Sequence, residues 1–94
     1  MIESFASEET KKIFRGETSK KLPKDIQRTA RRKLLYIDDA EDLNDLLAPP
    51  GNRLEKLKGD RAEQYSIRIN EQWRICFKWA GNKAKDVEIV DYYH

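Results

Sequence analysis

Ninety-four residues with a net charge of +2 predict one small domain, residues 1–94, with room for a single core. Charged and apolar residues each make up 38% of the chain, yet two Trp, four Tyr and three Phe exclude a disordered polymer. The single Cys76 excludes an internal disulfide and a multi-cysteine zinc site, and no apolar run reaches the length of a membrane span. With no signal peptide in view, a cytoplasmic chain is expected. The small net charge hides segregation. Lys20 to Lys33 holds seven basic residues and one acid, whereas Asp38 to Asp45 holds five acids and no base. Separate basic and acidic faces suit an anionic partner on one side and a basic protein on the other; two solvated helix faces would give the same pattern.

Met1 to Phe5 reads as a short first strand. Ser7 can cap a helix that carries Glu8 and Glu9 in its first turn, and Gly16 stops it. Ile13 and Phe14 are its buried contacts. Leu22-Pro23 opens the main helix, with Pro23 at the first helical position, where a missing N–H costs nothing. Ile26, Ala30, Leu34 and Ile37 recur at helical spacing and form its buried stripe. Arg28, Arg31 and Arg32 fall mostly off it. Asp38-Asp39 begins a less ordered acidic segment, in which Leu43, Leu46 and Leu47 allow a short helix. Pro49-Pro50-Gly51 ends it, and a basic stretch follows from Asn52 to Tyr65 and feeds the hairpin.

Two alternating runs come next. Tyr65, Ile67 and Ile69 share one face of a strand; Trp73, Ile75, Phe77 and Trp79 share one face of the next. A two-residue turn would set Ile69 against Arg74. A three-residue turn, Asn70-Glu71-Gln72, sets Ile69 against Trp73 and Ile67 against Ile75, and the apolar pattern selects it. Arg68 then faces Arg74 on the outer side of the hairpin. Like charges directly opposite are unfavourable, so the pair either holds an anion or finds acids such as Glu88. Gly81-Asn82 marks a turn into a last strand, Val87 to Tyr93. The expected fold is α+β, with two N-terminal helices on a small, mainly antiparallel sheet in the order β-α-α-β-β-β.

Four blocks carry a resemblance: Arg53 to Arg61 (RLEKLKGDR), Tyr65 to Asn70 (YSIRIN), Gln72 to Phe77 (QWRICF) and Val87 to Tyr92 (VEIVDY). With Ile2-Glu3-Ser4-Phe5 and Leu22-Pro23, they resemble the HigB branch of the RelE/ParE toxin superfamily over essentially the whole chain. The resemblance implies a RelE-like fold and the toxin of a type II toxin–antitoxin module. It implies a ribosome-dependent endoribonuclease that cuts translated mRNA in the A site. It also implies neutralisation by a HigA-like helix-turn-helix antitoxin, with operator DNA bound only through that complex. The acidic Asp38 to Asp45 segment and the outward side of the main helix are candidate antitoxin surfaces.

The chemistry implied needs no metal and no cofactor. The RNA 2′-hydroxyl attacks the neighbouring phosphorus, a base takes its proton, an acid protonates the leaving oxygen and cations stabilise the phosphate. Metal-ligand clusters, Gly-rich phosphate loops and nucleophilic Ser or Cys motifs are absent from the sequence. Arg68 and Arg74 are assigned to the scissile phosphate by the hairpin register and by the family blocks; guanidinium grips phosphate oxygens and keeps its charge. Arg74→Ala is therefore expected to abolish activity and leave the fold intact. Lys56, Lys58 and Arg61 would hold flanking phosphates or ribosomal RNA. His94, with an ordinary pKa near neutrality, is the candidate base or acid. Asp91 can orient it, and Tyr92 and Tyr93 can donate hydrogen bonds or stack on a base.

Two departures from the family stand out. Members often end in Asp-Tyr-His, whereas this chain ends in Asp91-Tyr92-Tyr93-His94, which moves His94 to the other face of a strand. Either the end bulges, or Tyr93-His94 carries the role and Asp91 is displaced. Some relatives also have a loop histidine where this chain reads Glu55-Lys56-Leu57-Lys58-Gly59. Two other functions remain open: a gyrase-directed toxin of the same fold, and a non-catalytic module binding RNA or working in a repressor complex.

Overall fold

Ser7 and Gly16 bracket the first helix as their chemistry requires. In a computed structural model of the chain, whose described residues are 1–92, α1 runs Glu8–Phe14. Ser7 Oγ accepts the Thr10 N–H at 3.2 Å. Gly16 takes φ = 86° and donates its N–H to the Ile13 carbonyl at 3.0 Å. The second helix, α2, runs Lys24–Asp39, with Pro23 as its N-cap rather than its first residue. Ile26, Ala30, Leu34 and Ile37 are all buried, as their spacing requires. The acidic segment is more ordered than expected. Asp38 and Asp39 finish α2, and Asp38 Oδ1 accepts the Ile2 N–H at 2.9 Å. Beyond it, Leu43–Leu47 forms a 3₁₀ helix closed by reciprocal Asp42 and Asp45 caps.

The described residues contain one four-stranded sheet in the order β1-β2-β3-β4, antiparallel throughout: β1 Glu55–Lys56, β2 Gln64–Arg68, β3 Trp73–Ala80 and β4 Lys83–Asp91. The hairpin register follows the apolar pattern, with Ile67 opposite Ile75 and Arg68 opposite Arg74. Gly81 and Asn82 both take positive φ, the geometry of a tight two-residue hairpin turn.

Three details of the sheet differ from expectation. The last strand, expected from Val87, already begins at Lys83 directly after the turn, and its described part ends at Asp91. The basic loop contributes a short edge strand, β1. The N-terminal strand is reduced to two parallel bridges, Ile2 with Ala84 and Phe5 with Val87. The cause lies in β4, where an extra residue bulges between Lys85 and Glu88, and Asp86 takes φ = 52°. That kink separates the two bridges, so no continuous ladder forms.

Both helices cover one face of the sheet. Ile13, Ile26, Ala30, Leu34 and Ile37 meet Ile67, Ile75, Phe77, Ala84, Val87 and Ile89 in one buried cluster. At roughly 2 kcal/mol per fully buried aliphatic or aromatic side chain, this face dominates the stability. It leaves the opposite face of β2 and β3 free to carry polar chemistry.

Candidate functional site

Strand alternation places Ser66, Arg68, Arg74, Cys76, Glu88 and Val90 on the face away from the helices. Arg74 sits at its centre and is only 8% exposed. Its Nε donates to Ser66 Oγ at 2.7 Å, and its Nη2 donates to the Arg53 carbonyl at 2.6 Å and the Ser66 carbonyl at 3.4 Å. Glu55 Oε1 lies 3.2 Å from the same Nη2. Arg53 holds φ = 45°, a left-handed conformation that costs a non-glycine residue about 1–2 kcal/mol and here aims its carbonyl at the guanidinium. Asn52 anchors the loop behind it, donating to the Leu46 and Ala48 carbonyls at 3.3 and 3.2 Å.

These contacts bear on the expectation that Arg74→Ala leaves the fold intact. Arg74 ties Arg53 and Glu55 to Ser66 of β2, so Arg74→Ala is expected to remove structural contacts as well as charge. Among the described residues these contacts engage Nε and Nη2, and none of them uses Nη1. The guanidinium is thus oriented by one edge and can present the other to an anion.

Arg68 faces Arg74 in the register and is half-buried, with no ion pair to a carboxylate among the described residues. Tyr92 completes the group: its ring lies 5.5 Å from the Arg74 guanidinium carbon, in cation–π range, and the residue is 48% exposed. Among the described residues, Tyr92 is therefore an aromatic near the C-terminus that shares Arg74's face. Asp91 is opposite Trp73 in the register, on the other face, and accepts from Gln72 Nε2 at 3.0 Å. The expected roles of Tyr93 and His94 lie outside the described residues.

The remaining sequence candidates disperse. Arg61 lies over the same face, with Nη1 donating to Gln64 Oε1 at 2.9 Å and Nη2 3.4 Å from Glu88 Oε1. Glu88 is thus the partner of Arg61 and not of the facing arginines. Lys58 is exposed at the start of the Gly59–Arg61 turn. Lys56 is exposed and lies opposite Tyr65, so alternation turns it toward the other face from Arg74.

Ser66 joins the site without having been expected there, and Lys33 is unexpectedly buried on α2. Ser66 is fully buried and holds the Arg74 Nε. Lys33, on α2, is 5% exposed; burial, reinforced by Arg32, Arg68 and Arg74, holds its ammonium below the ordinary lysine range. A sequence signal existed for it. Lys33 falls seven residues after Ile26 and four before Ile37, on the buried stripe itself.

The fold matches solved toxin–antitoxin assemblies. It superposes on a chain of the YoeB-YefM complex from Staphylococcus aureus with a TM-score of 0.61 at 22% identity, covering 100% of this chain and 98% of that one. A heterotetrameric YoeB-YefM toxin–antitoxin complex from the same organism matches equally. The fold, two helices on a small antiparallel sheet, is thus shared with chains of these complexes.

The relatives narrow the identification. A family model described as the RelE-like toxin of type II toxin–antitoxin system HigB matches residues 3–94. The chain is 35% identical over 98 residues to "Endoribonuclease HigB" of Proteus vulgaris, covering 99% of this chain and all of that protein. It is 41% identical over 63 residues to "Toxin HigB-1" of Vibrio cholerae, 67% of this chain and 66% of that one. An uncharacterized Haemophilus influenzae protein is 38% identical over 72 residues, 77% of this chain and 71% of that one. The chain belongs to the HigB-like toxin family of type II toxin–antitoxin systems.

Proposed function

We propose that this toxin is an endoribonuclease that cuts translated mRNA in the ribosomal A site and so stops translation. The observation that carries the proposal is the arginine pair on the outer face: Arg68 and Arg74 directly opposed in register, Arg74 fixed by Ser66 and the Arg53 carbonyl, and Tyr92 over it. Two opposed guanidinium groups repel each other and are relieved by a bound anion. A phosphodiester is the anion that matches a relative called an endoribonuclease.

In the proposed reaction the 2′-hydroxyl oxygen attacks the adjacent phosphorus and the bond from phosphorus to the 5′-oxygen breaks. Arg68 and Arg74 stabilise the charge on the non-bridging oxygens, without a metal ion. Arg74 needs no reorganisation to do so, because protein groups already hold one edge of it. Tyr92 stacks on an unstacked base or donates its hydroxyl. His94 is the proposed proton carrier, with Tyr93 and Asp91 beside it in the sequence. Lys58 and Arg61 hold flanking phosphates, and Lys56 contacts ribosomal RNA from the other side. Glu55 is the remaining candidate base; it is half-exposed and committed to Arg74 at 3.2 Å.

The chain is proposed to work as one domain in the cytoplasm. Among the described residues no helix is long and apolar enough to cross a membrane. Its partners are proposed to be the ribosome and mRNA, a HigA-like helix-turn-helix antitoxin, and operator DNA through the antitoxin complex.

Cleavage of a defined mRNA, with and without translating ribosomes, tests the proposal. Wild type should cut only with ribosomes, and Arg68→Ala should cut on the order of 10²-fold more slowly. His94→Ala should do the same if the terminal histidine carries a proton. Folded wild-type protein that leaves the transcript intact under both conditions would sink the nuclease function.

A further inference from the structure

Arg28, Arg31 and Arg32 stand three and four residues apart on the outward side of α2, so they form one row. All three are exposed, and among the described residues none of them forms an ion pair with a carboxylate. Like charges at this spacing repel one another along a helix, so the row weakens the free domain. A basic row on an open, solvated face would be ordinary. These three arginines instead line a cleft of about 380 Å³ between α2 and the end of α1.

The cleft is preformed and of mixed chemistry. Ile13 of α1 and Leu35 of α2 give it an apolar part, and Glu17 is the sole acid in its lining. One wall is the turn after α1. A side chain at Gly16 would touch the Arg31 guanidinium there, with Nε at 3.5 Å, so Arg31 lies against that wall. Hydrogen bonds fix the segment that follows. The Ser19 N–H donates to Gln27 Oε1 at 3.1 Å, and Gln27 Nε2 donates to the Ser19 and Leu22 carbonyls at 2.9 Å each. Ser19 Oγ donates to Glu9 Oε1 at 2.6 Å and ties the segment back to α1. A ligand entering here finds the cleft already built and need not order it.

We propose that this cleft docks an acidic, amphipathic segment of the antitoxin, with its carboxylates on Arg28, Arg31 and Arg32 and an aliphatic side chain against Ile13 and Leu35; this deepens, and rests on, the antitoxin partnership proposed above. Guanidinium and carboxylate match as a two-bond fork, which relieves the repulsion along the row. An RNA strand would satisfy the arginines but not the rest of the lining. It has no aliphatic side chain for Ile13 and Leu35, and no lining residue offers an aromatic ring on which a base could stack. The cleft also lies on the helix side of the sheet, whereas Arg68 and Arg74 occupy the other face. A segment seated here leaves that arginine pair uncovered, so the contact anchors the antitoxin without competing for the RNA phosphate.

The test uses the full chain, the purified cognate antitoxin and overlapping peptides tiled across it. Antitoxin affinity, ribosome-dependent mRNA cleavage and thermal melting are measured for wild type, Arg31→Glu and a variant that combines Arg28→Glu with Arg31→Glu. Arg31→Glu should bind the antitoxin about tenfold more weakly and the combined variant on the order of 10²-fold, with cleavage and melting as in wild type. The peptide that wild type holds most tightly should be acidic, and lysines in place of its acidic residues should restore binding to the combined variant. Wild-type affinity in the combined variant, or a tightest peptide without carboxylates, overturns the inference. Slower cleavage with antitoxin affinity intact would assign the arginines to ribosomal RNA. Self-association lost in the combined variant, again with antitoxin affinity intact, would assign them to a second copy of the chain. Either result also overturns the inference. A wild type that binds the antitoxin as described but cuts no mRNA leaves the inference standing and removes only the nuclease function. A wild type that forms no complex with the antitoxin overturns both this inference and the partnership it rests on.

Discussion

The two faces of the β2–β3 hairpin are buried to a similar degree by opposite means. On the helix side, Ile67, Ile75 and Phe77 are fully enclosed among apolar neighbours. On the other side, Ser66 and Cys76 are equally enclosed and Arg74 nearly so, beneath hydrogen bonds and the Arg61–Glu88 and Arg74–Glu55 ion pairs. Apolar burial is non-directional and tolerates approximate shapes. A polar cover works only when each donor meets its acceptor. The helix face should therefore govern whether the chain folds, and the outer face how its functional groups are aimed.

Phe77→Ala should produce the largest loss of stability, about 3–5 kcal/mol, since its ring is fully enclosed and lies 6.4 Å from those of both Tyr65 and Trp79. Urea unfolding reads this directly, and a loss below 1 kcal/mol would show that the two faces do not differ as argued. Arg74→Ala comes next. It strips the donor from Ser66 Oγ and the Arg53 carbonyl and leaves Glu55 unpaired, for a loss of about 1–3 kcal/mol together with activity. The same unfolding curve and the mRNA assay report both; an Arg74→Ala protein of wild-type stability would return Arg74 to the status of a simple surface group. Arg68→Ala inverts the pattern. Stability should move by no more than about 0.5 kcal/mol while cleavage collapses, so a stable but inactive variant is the expected outcome.

Which of these features could be read from the residues follows the same division. The apolar alternation of Tyr65 to Trp79 was sufficient for the strand faces, the three-residue turn and the Arg68–Arg74 register, because a one-residue slip would expose every isoleucine. The family blocks then pointed to the site. The polar cover was less legible, since it depends on where a loop lies. Nothing in RLEK says that Arg53 will turn left-handed and offer its carbonyl to a guanidinium twenty-one residues away. Small polar Ser66 and Cys76 on a supposedly solvated face were a hint that it was covered. Lys33 was legible by spacing and concealed by residue type, because a lysine is normally assigned to solvent.

Cys76 offers the finest probe of the polar cover. Burial pushes its thiol up; Arg61 pulls against that, Glu88 adds to it and Arg74 opposes it. The thiolate is the reactive form, so a thiol reagent should modify native Cys76 far more slowly at neutral pH than it modifies the urea-unfolded chain. Reaction at the unfolded rate would mean that the outer face is not closed. The linkage has a definite sign. A folded pKa above the unfolded one leaves this contribution to stability complete below the free-thiol value, about 8.5, and erodes it as pH rises from there toward the folded value. Cys76→Ala should flatten that alkaline decline. Glu88→Gln removes a charge that raises the thiol pKa and also releases Arg61, so the reaction should quicken at a given pH. A Glu88→Gln protein whose thiol stayed as slow as wild type would show that packing beneath the ion pair, rather than the pair itself, keeps this face shut.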